Sequence, residues 1–222
     1  MKIEIRRALC SGLACVLLGG ALSACVPLVV GGGMVAGTLV AVDRRTAGTV
    51  VEDESIEVKA ANRIRETLGD KARINVTSYN RQVLLTGEVG NETDKQALGR
   101  LVQSVDNVRA VVNETAVAPF TATLSQRSGD TFITGKVRAS LMDAKDLQAS
   151  AFKVVTENKV VYLMGIVTPR EAKRAAEIAR GVNDVTKVVR VFEVVSEDEL
   201  ARYQTKPAPV TTDAVPMSTP AP

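Results

Sequence analysis

Histidine and tryptophan are absent from this sequence of 222 residues, aromatic residues make up 3% of it, and its three cysteines all fall within the first 25 positions. Without histidine there are no His-dependent nucleophilic triads and none of the commonest zinc-binding sets. Cysteine confined to the N-terminus removes thiol chemistry from the body of the chain and leaves it no disulfide, so the fold must rest on its own hydrophobic cores. Net charge is small as well: 28 Lys+Arg against 25 Asp+Glu give +3, a balance that points to no partner by itself. Carboxylate-only chemistry survives these exclusions, but nothing in the sequence supports it. The chain does not read as an enzyme.

What is present begins at the N-terminus. Lys2, Arg6 and Arg7 precede an uncharged apolar run over residues 8–22, which ends in Leu22-Ser23-Ala24-Cys25. A basic start, a short apolar stretch and small residues at the cut make a secretory signal peptide over residues 1–24. The alternative, an uncleaved membrane anchor, is disfavoured because the run is short for a spanning helix. Cleavage removes Cys10 and Cys15, leaves 222 − 24 = 198 residues, and lowers the charge to +1 by taking away three basic residues and Glu4. Residues 26–42 are uncharged and rich in glycine, including Gly31-Gly32-Gly33. They read as an apolar leader near a lipid surface or as an ordinary linker.

Between Glu52 and Val195 the chain repeats itself at a period of about 77 residues, as Ile56 against Ile133 illustrates. Val83-Leu84-Leu85-Thr86-Gly87-Glu88-Val89 answers Val161-Tyr162-Leu163-Met164-Gly165-Ile166-Val167, and Val105-Asp106-Asn107-Val108 answers Val182-Asn183-Asp184-Val185. Each copy opens with an amphipathic helix, apolar at Ile56, Ala60 and Ile64 or at Ile133, Val137 and Leu141. Two alternating strands follow, over residues 74–79 and 83–89, then 152–156 and 160–167, with polar turns at Asn80-Arg81 and at Glu157-Asn158-Lys159. A second helix starts at Asn91-x-x-Asp94 or at the capping box Thr168-Pro169-Arg170-Glu171. A β-branched strand closes each unit, at residues 110–112 and 187–195. The fold class is α+β: two tandem αββαβ domains, each a three-stranded mixed sheet with two helices on one face. Gly87 and Gly165 are expected to end a strand or to bend the backbone there, a structural role.

The αββαβ unit with its Val-x-Leu-x-Gly strand and terminal Val-x-x-Val resembles the BON domain. Leu22-Ser23-Ala24-Cys25 likewise resembles the bacterial lipobox, in which the cysteine is acylated and becomes the first mature residue. Two such domains behind a lipobox are similar to the dual-BON outer-membrane lipoproteins of the YraP/DolP type. Asp43-Arg44-Arg45-Thr46, Ala72-Arg73-Ile74-Asn75-Val76-Thr77 and the run from Val161 through Thr168-Pro169-Arg170-Glu171-Ala172-Lys173 look like segments of that family. The resemblance implies lipid attachment at Cys25, and Val26 in place of Asp implies the outer membrane, with the domains facing the periplasm. It implies no cofactor and no metal. It also implies a role in outer-membrane integrity, binding of anionic phospholipid such as phosphatidylglycerol or cardiolipin through the first helix of the second domain, and a link to the outer-membrane protein assembly machinery. The expected boundaries are signal 1–24, lipidated leader 25–52, BON domain 1 at 53–118, BON domain 2 at 127–196, and a disordered Pro/Thr/Ala-rich tail at 203–222.

The residues themselves single out the same helix. Ile133, Val137 and Leu141 supply one ridge for the core, while Phe132, Gly135, Ala139 and Met142 fall on another face, flanked by Lys136 and Arg138. An apolar ridge with basic flanks suits the headgroup boundary of an anionic bilayer. The first copy carries Ser55, Val58, Asn62 and Arg65 at these positions, a polar face. Charge follows the same division. Residues 53–118 carry 9 Lys+Arg and 10 Asp+Glu, a net of −1, and residues 119–195 carry 12 and 8, a net of +4. The candidate phospholipid site is therefore Phe132, Ile133, Gly135, Lys136, Val137, Arg138, Ala139, Leu141 and Met142. Of these, Ile133, Val137 and Leu141 are expected to support the helix. The competing reading packs Phe132 and Met142 against the first domain, or against a protein partner for which the chain is an adaptor. Arg170, Lys173, Arg174 and Arg180, interleaved with Glu171 and Glu177, read as a solvated face. Basic residues interleaved with exposed aromatics are lacking, which disfavours nucleic acid.

Overall fold

The computed structural model describes residues 43–69, 72–118 and 124–204. Cys25, the leader up to residue 42 and the tail beyond residue 204 lie outside the described residues. The first domain runs α1 (Ala47–Leu68), β1 (Ala72–Tyr79), β2 (Gln82–Val89), α2 (Glu92–Gln103), β3 (Ala110–Asn113) and β4 (Ala116–Val117). The second runs α3 (Leu124–Asp143), a 3-10 turn (Ala149–Ala151), β5 (Lys153–Glu157), β6 (Val160–Val167), α4 (Pro169–Arg180) and β7 (Lys187–Val194), and α5 (Glu197–Gln204) follows. Both sheets are mixed. β1 and β2 are antiparallel from Ala72↔Val89 to Tyr79↔Gln82, and β3 runs parallel to β2. β5–β6–β7 repeats the pattern. The short β4, which extends the first sheet beside Glu88 and Val89, is not foreseen in the sequence.

Helix α1 begins at Ala47, inside the stretch expected to be leader, because Thr46 caps it by accepting the Thr49 N–H at 3.2 Å. At the other end of the fold, Tyr203 and Gln204 close α5, so the helix extends into the first two residues of the expected tail.

Two devices recur at the repeat period. Asn80 and Arg81 have φ of 51° and 63°, and Asn158 and Lys159 have φ of 49° and 62°. Both hairpins thus turn through two left-handed residues, the type I′ geometry that matches strand twist. An aspartate on the first helix of each domain anchors its turn. Asp53 accepts the backbone N–H groups of Asn80 and Arg81 at 2.8 and 2.7 Å. Asp130 accepts those of Asn158 and Lys159 at 2.8 and 2.9 Å. The strand glycines are structural, but they lie within strands, not at their ends. A Cβ on Gly87 would stand 2.0 Å from the Arg73 carbonyl oxygen, and one on Gly165 would stand 2.4 Å from that of Ala151.

Alternation sorts β2 and β6 between two cores. Val83, Leu85 and Val89 pack under α1 and α2, and Val161, Leu163 and Val167 pack under α3 and α4. The opposite sheet faces meet each other. Tyr79, Leu84, Tyr162, Met164, Ile166 and Val191 form a third buried cluster at the seam between the domains. Polar contacts reinforce it: Asn75 Nδ2 to Glu157 at 2.9 Å, Lys153 Nζ to Glu57 at 3.0 Å, and Asn80 and Arg109 to Glu193 at 2.7 and 3.0 Å. Burial pushes the phenols of Tyr79 and Tyr162 up to about 12.

Candidate membrane-docking surface

Helix α3 presents two opposed faces. At about 100° per residue, Ile133, Val137 and Leu141 form one stripe, and Phe132, Gly135, Ala139 and Met142 form another about 180° away. The first stripe is 3%, 0% and 1% exposed and belongs to the domain core with Phe152, Val154 and Ala175. These three residues hold the helix against the core. In the second stripe Phe132 is 66% and Met142 72% exposed, and Gly135 and Ala139 between them are exposed as well. Neither Phe132 nor Met142 belongs to the seam, which the two sheet faces form together with Val195 and Leu200. That overturns the reading in which this ridge packs against the first domain.

The basic flanks differ from one another. Lys136 Nζ is held by Asp184 at 2.7 Å and the Asn183 carbonyl at 2.9 Å, and it lies 4.9 Å from the centre of the Phe132 ring. The hydrogen bond and charge of Lys136 hold the Asp184 carboxyl below its usual range. Lys136 therefore orients the ring and is not a free cation. Arg138 is exposed and shares a groove of about 460 Å³ with Met142. Lys159, from the β5–β6 turn, lines a groove of about 470 Å³ with Phe132. Sequence reasoning missed Lys159, since only the hairpin turn brings it to the N-terminal end of the ridge.

Domain 1 offers less on the matching face of α1. Val58 is exposed, but Ser55 is polar, and Arg65 donates to Asn62 at 3.1 Å.

The expected solvated face of α4 holds only in part. Arg170 and Lys173 are exposed, and Arg174 pairs with Asp146 at 3.1 Å. Glu171 is 5% exposed. It closes the capping box with Thr168 and also receives Arg44, which reaches it from the segment ahead of α1 at 2.7 and 2.9 Å. Burial opposes ionisation of Glu171, but the Arg44 guanidinium and the Thr168 N–H outweigh it and hold the carboxyl below its usual range. Arg44 stood in a family-like segment without a role, and only the tertiary fold brings it to Glu171. Among the described residues, no group of His, Cys, Asp or Glu could hold a metal ion, and no helix is long and apolar enough to cross a membrane.

The architecture defines a class: a tandem of αββαβ modules joined through their sheets. The BON domain family matches residues 52–119 and 129–196, and the chain belongs to that family. It is similar to the outer membrane lipoprotein DolP of Haemophilus influenzae, 39% identical over 182 residues that cover 80% of this chain and 93% of that one. It is also similar to a 21 kDa hemolysin of Actinobacillus pleuropneumoniae, 35% identical over 69% of this chain and 80% of that one. A shorter match, 40% identical over 60 residues, covers 27% of this chain and 30% of the osmotically inducible protein Y of Escherichia coli. Among solved structures, CdsD of the Chlamydia trachomatis type III secretion system aligns over 68% of this chain and 99% of its own at 12% identity, with a TM-score of only 0.28. The chain is a lipid-anchored lipoprotein of the outer membrane whose domains face the periplasm.

Proposed function

We propose that this lipoprotein is not an enzyme, that it docks on anionic phospholipid through the outer ridge of α3, and that it thereby maintains outer-membrane integrity. Acylated Cys25 supplies one attachment and the ridge supplies a second, weaker one. The acyl anchor holds the chain to the membrane, and the weaker ridge contact brings the second domain down onto the lipid surface. One observation carries the reading. Two large apolar side chains, Phe132 and Met142, stand 66% and 72% exposed on a helix face that neither the core nor the seam uses. Arg138 and Lys159 border that ridge, and each basic residue held near an anionic surface adds about 1 kcal/mol.

The test is an NMR titration of the mature chain carrying Cys25→Ser, first with phosphatidylglycerol micelles and then with phosphatidylcholine micelles. The expected result is shifts concentrated at residues 131–142 and 159, with the anionic lipid alone. Equal response to both lipids refutes the charge dependence, and no response to either refutes the docking. In the latter case the ridge is left to a protein partner, such as the outer-membrane protein assembly machinery.

A further inference from the structure

Three consecutive residues pin the chain where it enters the folded body. The Asp43 carboxylate accepts from Arg45 Nη2 and from the Arg45 backbone N–H at 2.7 and 2.8 Å. Arg45 in turn donates to Asp53 on α1 at 2.8 Å and stacks over Tyr79 at 4.2 Å. Arg44 turns the other way, into the second domain. It is 5% exposed, grips Glu171 with both terminal nitrogens, and donates to the Ile166 carbonyl at 2.6 Å. The segment that leads into domain 1 is thus fastened to domain 2, three residues before α1 begins.

The place of this fastening matters. Asp43 lines the same groove as Arg138 and Met142, at the C-terminal end of the exposed ridge. We infer that Asp43 and Arg44 are positioning residues that aim the lipid tether, so that acylated Cys25 and the α3 ridge engage the same membrane leaflet. The inference rests on the docking proposed above. Between Cys25 and Asp43 stand 43 − 25 − 1 = 17 residues. Such a length spans at most about 60 Å, enough for the ridge to face either its own membrane or an opposed one. Length leaves that choice open, and the exit point decides it. A tether leaving beside the ridge presents that ridge to its own leaflet at an effective concentration in the millimolar range, so weak interfacial contact suffices. A tether leaving from the far side of domain 1 would turn the ridge away from its anchor and favour bridging.

The test compares the two geometries in the acylated protein, with an environment-sensitive fluorophore on Asp143→Cys beside the ridge. In one arm the protein sits in vesicles that themselves contain phosphatidylglycerol. In the other it sits in phosphatidylcholine vesicles, and separate phosphatidylglycerol vesicles are added. The expected result is a blue shift in the first arm, with neither a shift nor vesicle clustering in the second. Clustering in the second arm overturns the inference, and this comparison needs no variant at the clamp. The double variant Arg44→Gln/Glu171→Gln removes both charges together, which avoids stranding one of them. It is expected to reduce the first-arm shift severalfold, while vesicle binding by its unacylated Cys25→Ser form stays within twofold. An unchanged first-arm shift in the folded double variant overturns the role of Arg44. If the unacylated parent chain fails to bind phosphatidylglycerol at all, the docking itself is wrong, an outcome separate from the other two.

Discussion

Phe132→Ala is the perturbation whose size follows most directly from the structure. The ring keeps 66% of its surface in water. A phenylalanine side chain presents about 200 Å², so about 130 Å² is available for burial, equivalent to about 3 kcal/mol at about 25 cal/mol/Å² if all of it left water. Two effects reduce that ceiling. A headgroup boundary withdraws only part of the ring from water, and the stack with Lys136 is already present in the free protein. We therefore expect a loss of about 1–2 kcal/mol, or about 5- to 30-fold in affinity. The assay is co-sedimentation of the Cys25→Ser mature chain with phosphatidylglycerol vesicles, paired with thermal unfolding. Because the ring lies outside both the core and the seam, stability should change by no more than about 0.5 kcal/mol. An affinity change below twofold refutes the assignment of the ridge. So does a stability loss of several kcal/mol, which would mean that the ring is buried against something in the free protein.

Three further predictions concern the scaffold. Asp53→Ala should destabilise by about 3 kcal/mol and Asp130→Ala by about half that, read by urea unfolding, because Asp53 also accepts from Ser78 Oγ and pairs with Arg45, whereas among the described residues Asp130 accepts from the two turn N–H groups. Gly135→Ala should stabilise by about 0.5–1 kcal/mol, since a Cβ there meets nothing within 4 Å and glycine is a poor helix former; a loss of stability would mean that the position is covered. Acid should also weaken the fold. Burial opposes ionisation of Asp53, but hydrogen bonds from Ser78, Arg81, Arg45 and Asn80 outweigh it, and its pKa lies below the ordinary value, as does that of Glu171. The unfolded chain therefore takes up these protons first, and the stabilisation present at neutral pH is lost as pH falls through the carboxylate range. Glu157, raised by burial, acts in the opposite sense. Urea midpoints that rise on going from pH 7 to pH 3 would show that the buried pairs do not dominate.

Most of the fold was legible in the sequence because it rests on local signals. Period-2 alternation gave the strands, the Thr168-Pro169-Arg170-Glu171 box marked the start of α4, and the repeat gave each element a second sighting. The two faces of α3 were readable for the same reason, since 3.6-residue geometry alone separates Ile133 from Phe132. What escaped depends on contacts far apart in sequence. The Arg44–Glu171 pair spans 127 positions, and no local pattern distinguishes a buried arginine from a solvated one. The seam escaped too, because alternation shows that Tyr162, Met164 and Ile166 face away from the helices but not what covers them. Asp53 and Asp130 could have been found. They align at the repeat period, and a shared aspartate on an otherwise apolar helix face needs a buried partner.

The comparison of the two copies within one chain carries the functional argument furthest. Positions where the copies agree are those the fold requires: the turn-anchoring aspartates, Gly87 and Gly165 under a carbonyl, and Asn107 and Asp184 in the left-handed region with φ of 67° and 74°. Both copies must also keep the buried stripe of the first helix, and both do. Their outer helix faces carry no such demand, and there they diverge, apolar with basic flanks on α3 and mostly polar on α1. The outer face is thus free to specialise, and it should be transferable. Ser55→Phe together with Arg65→Met copies the two ridge anchors onto α1, where neither parent side chain is buried. In a Phe132→Glu background, this graft should restore binding of the unacylated chain to phosphatidylglycerol vesicles to within about tenfold of the parent. In the acylated protein it should not restore docking on the host vesicle if Asp43, in the groove of Arg138 and Met142, aims the tether towards α3 as inferred above. Recovery in both formats would show that the exit point is unimportant. Recovery in neither would show that binding needs more of the α3 surface than its two large apolar side chains.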